Sequence, residues 1–205
     1  MSTKNVLNEA YWSERYQQGN TPWEVGKITP PLKLYIDQLT QKELRILIPG
    51  AGNAHEAEYL HKKGFSQVYV LDVSPAPLQA FRQRVPDFPQ EHILQQDFFS
   101  LTSGQYDLVL EQTFFCALPR ELRSQYARKM FEILKPGGRL TGVLFVGELG
   151  EPGPPFGGSA LEYQAYFEPY FYFRHFGTCL NSIKPRQGRE LFMALERRER
   201  PQFIA

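Results

Sequence analysis

RILIPGAGNAHEAEYLHKKGFSQVYVLD, residues 45–72, is the stretch whose reading decides the fold. An apolar run, Ile46-Leu47-Ile48, breaks at Pro49-Gly50-Ala51-Gly52, and a helix-like segment then runs to Lys62-Lys63-Gly64. A second apolar run, Val68-Tyr69-Val70-Leu71, stops at Asp72. Strand, glycine turn, helix, strand and acid in that order make one unit of a doubly wound α/β sheet. The unit sets the turn and the acid side by side at the carboxyl ends of adjacent parallel strands, where nucleoside ligands bind. Gly52 and Asp72 are 20 positions apart, as such a unit requires.

The turn narrows the ligand. A dinucleotide loop carries a third glycine and a P-loop carries GK[ST]. Here the third glycine position holds His55, and residues 49–60 contain no Lys, Arg, Ser or Thr, so a phosphate is poorly served. Glu56 and Glu58 stand there instead, which suits a ligand with hydroxyls and positive charge. S-adenosylmethionine is such a ligand. The competing reading of a lone GxG is a plain helix start that uses its glycines only to turn.

Composition bounds the rest. A chain of 205 residues supports one substantial core and is short for two enzyme domains, so a single domain is expected. A formal net charge of +1, with both signs mixed along the chain, leaves no electrostatic footprint for nucleic acid or an anionic membrane. The first residues lack an apolar signal core and no run approaches a membrane span, so a cytoplasmic protein is expected. Cys116 and Cys179 match no metal or CxxC spacing and read as buried thiols. The four histidines include no i,i+4 pair, so no metal site is expected either.

Along the chain, residues 5–18 read as a helix, and 21–26, TPWEVG, as a loop whose tryptophan a mere linker would not need. A second short helix follows Pro30-Pro31, with Leu32, Leu34, Tyr35, Ile36 and Leu39 as its buried side. Trp12, Tyr16 and Trp23 thus lie in a leader that either folds over a pocket or covers a sheet edge. After the opening unit come a helix over 77–84, a third strand over 93–97 ending in Asp97, and a fourth over 106–111 ending in Glu111. Three strand-end acids, Asp72, Asp97 and Glu111, fit one polar ligand lying across the tips. A helix over 119–134 leads through Lys135-Pro136-Gly137-Gly138 into a fifth strand over 140–146. The loop 147–158, with five glycines and three prolines, is a candidate lid. Ser159 and Glu162 form a capping-box pattern, and 170–179 with 191–195 read as an antiparallel hairpin at the sheet edge.

Several motifs in order then carry a resemblance: Trp12, TPWEVG at 21–26, LIPGAGNAHEA at 47–57, VLDVSP at 70–75, EQTFFCAL at 111–118, LKPGG at 134–138, GPPFGG at 153–158 and KPRQGRE at 184–190. Together they resemble the thiopurine S-methyltransferase family, which includes thiol and halide methyltransferases; the FFCA and GPPF segments are closer to that branch. The resemblance covers nearly the whole chain. It implies a class I, Rossmann-like methyltransferase fold: seven strands in the order 3-2-1-4-5-7-6, strand 7 antiparallel, helices on both faces. An N-terminal helical cap, 1–40, would sit over a core, 41–205. By that similarity Trp12, Trp23, Gly50, Asp72, Asp97, Phe98 and Gln112 fall on or beside the family's S-adenosylmethionine contacts, and Gly52 and Glu111 join them from the turn and the fourth strand tip. Gly50 would let the backbone approach the methionine moiety. Asp72 would accept from the ribose hydroxyls. Asp97 and Phe98 would meet the adenine, and the tryptophans would lie against the cofactor. One departure stands out: where thiopurine-preferring members carry an arginine after the fourth-strand acid, this chain has Gln112, which counts against a thiopurine or an aromatic carboxylate.

Methyl transfer from a sulfonium is an in-line displacement, so the protein must hold a nucleophile about 3 Å from the methyl carbon and exclude water. A soft nucleophile that is already anionic, such as hydrosulfide, a thiolate, thiocyanate or iodide, needs no general base, and no catalytic His or Lys stands out. Phe114, Phe115 and Phe156 are the candidates for the pocket wall beside Trp23, with one of Phe114 and Phe115 facing inward. Arg186 is either an anion-attracting residue at the pocket mouth or a charged hairpin turn, the turn being preferred. The alternatives are a methyltransferase for thiopurines, metalloid oxyanions or small carboxylates, and a cofactor-binding protein without turnover.

Overall fold

A computed structural model of the chain describes residues 7–101, 105–147 and 153–203. Its centre is a seven-stranded sheet in the order β3-β2-β1-β4-β5-β7-β6. The strands are β1 (Ile46–Pro49), β2 (Val68–Asp72), β3 (Ile93–Gln95), β4 (Tyr106–Gln112), β5 (Leu134–Phe145), β6 (Phe171–Thr178) and β7 (Glu190–Arg197). The first five run parallel, and β7 enters antiparallel between β5 and β6.

The central strands are continuous apolar runs because both sheet faces are covered, and β1 is buried at all four positions. Ile46 and Ile48 of β1, Val68 and Val70 of β2, and Leu108 and Leu110 of β4 face one layer, built from α2 (Pro30–Asp37), α3 (His55–Lys62) and α4 (Pro75–Arg84). Leu47, Leu71 and Val109 face the other, where α5 (Arg123–Ile133) and α6 (Ala160–Phe167) bring Tyr126, Met130, Tyr163 and Phe167. The first helix, α1 (Glu9–Gln17), starts at Asn8, whose side chain accepts from the Tyr11 N–H. It lies against α4, with Ser13 Oγ 3.0 Å from Ser74 Oγ. The leader therefore rests on the carboxyl ends of the strands.

Three expectations about local structure change. Leu34 is 57% exposed, so α2 buries only Pro31, Leu32 and Ile36; residues i and i+2 on a helix point apart, which puts Leu34 opposite the core. The third strand stops at Gln95, and Asp97 instead caps the following turn by accepting the Phe99 N–H at 2.8 Å. The capping box at Ser159 forms by half: Ser159 Oγ accepts the Glu162 N–H, but the Glu162 carboxylate turns to Arg123 at 2.9 Å. The 147–158 lid falls in part on 148–152, outside the described residues; Gly147 and Gly158 at its ends form an antiparallel bridge.

Candidate active site

A cavity of about 700 Å³ opens over the carboxyl ends of β1 to β4, roofed by the leader. Trp12, Trp23, Gly50, Gly52, Asp72, Asp97, Phe98, Gln112, Phe114 and Arg186 all contribute to its wall. Glu111, Phe115 and Phe156 do not.

The end nearest β2 and β3 is built by the glycine turn. Gly50 and Gly52 have φ of 57° and 52°, left-handed values that glycine takes without strain. A Cβ on Gly50 would run into the ring of Phe114, and one on Gly52 would lie 2.5 Å from the Tyr16 hydroxyl. The closely approaching turn points the Gly52 N–H at Asp72, which accepts it at 2.8 Å on one oxygen and the Ser74 N–H at 2.9 Å on the other. Burial pushes the Asp72 carboxyl up and outweighs those backbone N–H groups, which pull it down. The Val73 N–H also acts on the carboxylate, which still keeps acceptor capacity for hydroxyls of a ligand. Asp97, exposed at the next tip, completes this end.

The leader closes over the turn through Glu24. Its carboxylate is shared with His55 Nε2 at 2.8 Å, accepts the Gly26 N–H at 2.7 Å, and bonds Asn53 Nδ2. Burial opposes ionisation of Glu24, but bonds from His55, Gly26 and Asn53 prevail and hold its carboxyl down at about 2. Trp12, Tyr16 and Trp23 pack edge to face above, with the Trp12 and Tyr16 ring centroids 5.5 and 6.0 Å from that of Trp23. Sequence reading passed over Glu24 and His55 as a pair; neither the 31-residue separation nor the loop around Glu24 signals a contact.

Glu111 is a correction to the three-acid pattern. It is 0% exposed, and its carboxylate accepts the N–H groups of Phe114 and Phe115 at 2.8 and 2.9 Å and the Tyr126 hydroxyl. The left-handed Thr113, φ 61°, makes the chain double back and aims those two N–H groups at it. The acid therefore anchors the loop after β4 and faces away from the cavity. Burial raises its carboxyl to about 7 despite those bonds. The same turn separates the two phenylalanines. Phe115 is 1% exposed among Tyr126, Tyr163 and Phe167, whereas Phe114 lies on the cavity wall.

Phe156 is a strut and not a wall residue: its N–H donates to the Cys116 carbonyl at 2.6 Å and its own carbonyl accepts from the buried Arg123 at 2.8 Å. Pro154 and Pro155 take its expected place. Arg186 overturns the preferred turn reading. It is 7% exposed, donates to the Trp23 carbonyl at 2.6 Å, lies 3.4 Å from Glu190, and has its guanidinium over the Phe145 ring. With Lys27 and Arg189 also on the wall, this end carries three cations. Gln112 closes it: its Oε1 accepts from Thr29 Oγ1 at 2.8 Å, while its buried Nε2 has no partner among the described residues.

The family model for thiopurine S-methyltransferase matches residues 7–199. The chain belongs to the thiopurine S-methyltransferase family. Membership makes it an S-adenosylmethionine-dependent methyltransferase. Among relatives of the family, "Probable thiol methyltransferase 2" of Arabidopsis thaliana is 29% identical over 185 residues, 87% of this chain and 81% of that one. Thiocyanate methyltransferase 1 of Brassica oleracea is 27% identical over 168 residues, 80% and 74% of the two chains. Thiopurine S-methyltransferase of Vibrio campbellii is 24% identical over 193 residues, 86% and 87%. Among solved structures, the Burkholderia thailandensis 1,6-didemethyltoxoflavin-N1-methyltransferase with S-adenosylhomocysteine superposes with a TM-score of 0.77 at 15% identity, over 96% of this chain and 90% of that one. The likeness extends the class I fold assignment to the whole sheet. The residues present fit the family's cofactor: acids with free lone pairs at the strand tips, an unpaired buried amide donor at Gln112, and tryptophans above. Among the described residues no cluster of His, Cys, Asp or Glu could hold a metal, and no helix is long and apolar enough to cross a membrane.

Proposed function

We propose that the protein transfers the methyl group to a small, soft, anionic nucleophile: hydrosulfide, a thiolate, thiocyanate or a halide. The observation that carries this reading is the make-up of the cavity end around Trp23. Trp23, Phe114, Phe145, Pro154 and Pro155 give it apolar walls, and Lys27, Arg186 and Arg189 give it positive charge. Weakly hydrated anions enter such a site at low desolvation cost, and the cations raise their local concentration. When bound, the cofactor supplies a methyl carbon made electrophilic by its sulfonium.

The chain's own residues do the rest. Gln112 and Thr29, locked together at 2.8 Å, set the floor between the two ends. The leader, latched through Glu24, excludes water from above. Among the described residues, none of the groups at this end is well suited to act as a base. His55 is shared with Glu24, burial pushes the Glu56 carboxyl up towards its neutral form, and burial pushes the Cys116 thiol well up while its Sγ donates to the Thr113 carbonyl at 3.3 Å. An acceptor must therefore arrive ionised, and the cations favour that form. The names of the thiol and thiocyanate methyltransferase relatives support the same class.

Incubating purified protein with methyl-labelled S-adenosylmethionine against hydrosulfide, thiocyanate, iodide, an aryl thiol, a thiopurine and a small carboxylate tests the proposal. Transfer to the first three is expected to exceed transfer to the last two. A preference for the thiopurine or the carboxylate would replace it, and tight binding without transfer to any acceptor would make the protein a cofactor sensor.

A further inference from the structure

Glu56 is a buried acid that nothing above uses. It stands on the first turn of α3, 7% exposed, on the cavity wall. Among the described residues its carboxyl makes no side-chain hydrogen bond, and its only partner is its own backbone N–H. Glu24 from the leader, His55 from its own helix and Arg186 from the turn before β7 are the charged or titratable groups that act on it. An unpaired carboxyl at such a depth costs stability, because water that would solvate it is excluded.

We propose that Glu56 is the acceptor for the α-ammonium at the methionine end of the cofactor. Position is the first argument. Asp72 on β2 takes the ribose end, and β1 is the neighbour of β2 on the side away from β3. A ligand that extends from Asp72 away from β3 therefore crosses the glycine turn and meets the first turn of α3. The strand β1 itself, Ile46–Pro49, has no carboxylate to offer.

Elimination is the second argument. The oxygens of Glu24 are taken by His55, Gly26 and Asn53, and those of Glu111 by Phe114, Phe115 and Tyr126. Asp72 and Asp97 sit at the far tips. Among the described residues, Glu56 is the acid beside the glycine turn whose oxygens stay open, while Glu9 on the wall belongs to the leader above. Chemistry is the third. A carboxylate placed against the activated methyl would be a competing nucleophile, whereas an ammonium offers three N–H donors and no methyl to lose. Burial raises the Glu56 carboxyl, with Glu24 adding to the effect and His55 and Arg186 opposing it. An arriving ammonium favours the ionised form and completes the pair.

The inference rests on the family's cofactor and not on the acceptor proposed above, so a failed transfer assay leaves it standing. Calorimetric binding of S-adenosylhomocysteine and of its deamino analogue to the wild-type protein tests it without any variant. The wild type is expected to bind the deamino analogue about tenfold or more weakly, the scale of one charge-assisted hydrogen bond. In Glu56→Gln, affinity for S-adenosylhomocysteine and S-adenosylmethionine should fall by the same factor, with the deamino analogue unchanged. Equal wild-type affinity for the two homocysteine ligands would overturn the assignment. So would a Glu56→Gln loss confined to S-adenosylmethionine, which would place the acid at the sulfonium.

Discussion

At the β2–β3 end of the cavity, Gly50, Gly52, Asp72 and Asp97 come from consecutive turns of one βαβαβ run, and their positions follow from parallel strands lying side by side. At the Trp23 end, the wall is assembled from the leader, the turn after β4, the end of β5, the 153–158 segment and the turn before β7. The first end is a property of the fold. The second is a property of this chain's connections, and it is where the proposed function places the choice of acceptor. Long-range pieces also depend on one another: Arg186 reaches the Trp23 carbonyl across 163 positions, so the leader and the β6–β7 turn stand or fall together.

The sharpest way to break that division is Arg186→Met. It leaves Glu190, 3% exposed, without its cation, and removing one member of a buried pair costs about 3–5 kcal/mol. Urea unfolding should show a loss of that order, with weaker packing of Trp23 seen as a red shift in fluorescence. A loss under about 1 kcal/mol would mean that Arg186 is a surface turn after all.

Gly50→Ala tests the other end. A side chain at φ 57° is strained, and its Cβ must displace Phe114, so a stability loss of about 2–4 kcal/mol is expected. Because Phe114 faces both ends, this variant should weaken cofactor and acceptor binding alike. An effect on the acceptor alone would redraw the boundary between the ends.

Glu111 belongs by position with the strand-tip acids and by contacts with the core, and pH distinguishes the two. Burial raises its carboxyl from 4.5 to about 7 in the folded chain. The native state thus keeps a proton that the unfolded chain releases over that interval. Its contribution to stability is fully present below about 4.5 and is lost as pH rises through about 7. Stability curves of wild type and Glu111→Gln should diverge by about 2–3 kcal/mol across this window, and cofactor affinity should be the same in both. Parallel curves would contradict the buried assignment. Asp72→Asn should give the smaller and opposite pattern: about 1–3 kcal/mol of cofactor affinity lost, with acceptor KM unchanged. Unchanged cofactor affinity would remove Asp72 from the site.

These cases show what was legible in the sequence. The 45–72 unit was readable because short continuous apolar runs and a glycine turn are local signals, and the Gly52–Asp72 bond follows from adjacency of β1 and β2. The hairpin of β6 and β7 was readable because its strands are joined by a connection too short for a crossover helix, in which the structure forms only the 3-10 turn Lys184–Arg186. Glu111 misled because a strand-end acid looks alike whether it faces ligand or backbone; only the left-handed Thr113 decides, and threonine does not advertise that conformation. Phe114 and Phe115 are adjacent and chemically identical, so nothing in the sequence could rank them. Arg186 reads as a turn residue because KPRQGRE is polar throughout, and its burial comes from Trp23 and Phe145, which no local pattern connects to it. Glu24, Lys27 and Arg189 were invisible for the same reason.

The claim that the Trp23 end accepts a preformed anion and supplies no base is tested most directly by the pH dependence of transfer at saturating cofactor. With thiocyanate, which is anionic throughout, kcat/KM is expected to stay level from about pH 6 to 9, while with an aryl thiol it should rise only as that thiol's own ionisation does. A shared ionisation limb that appears with both acceptors, and shifts in a variant of a cavity residue, would mean that the protein provides the base and would contradict the account.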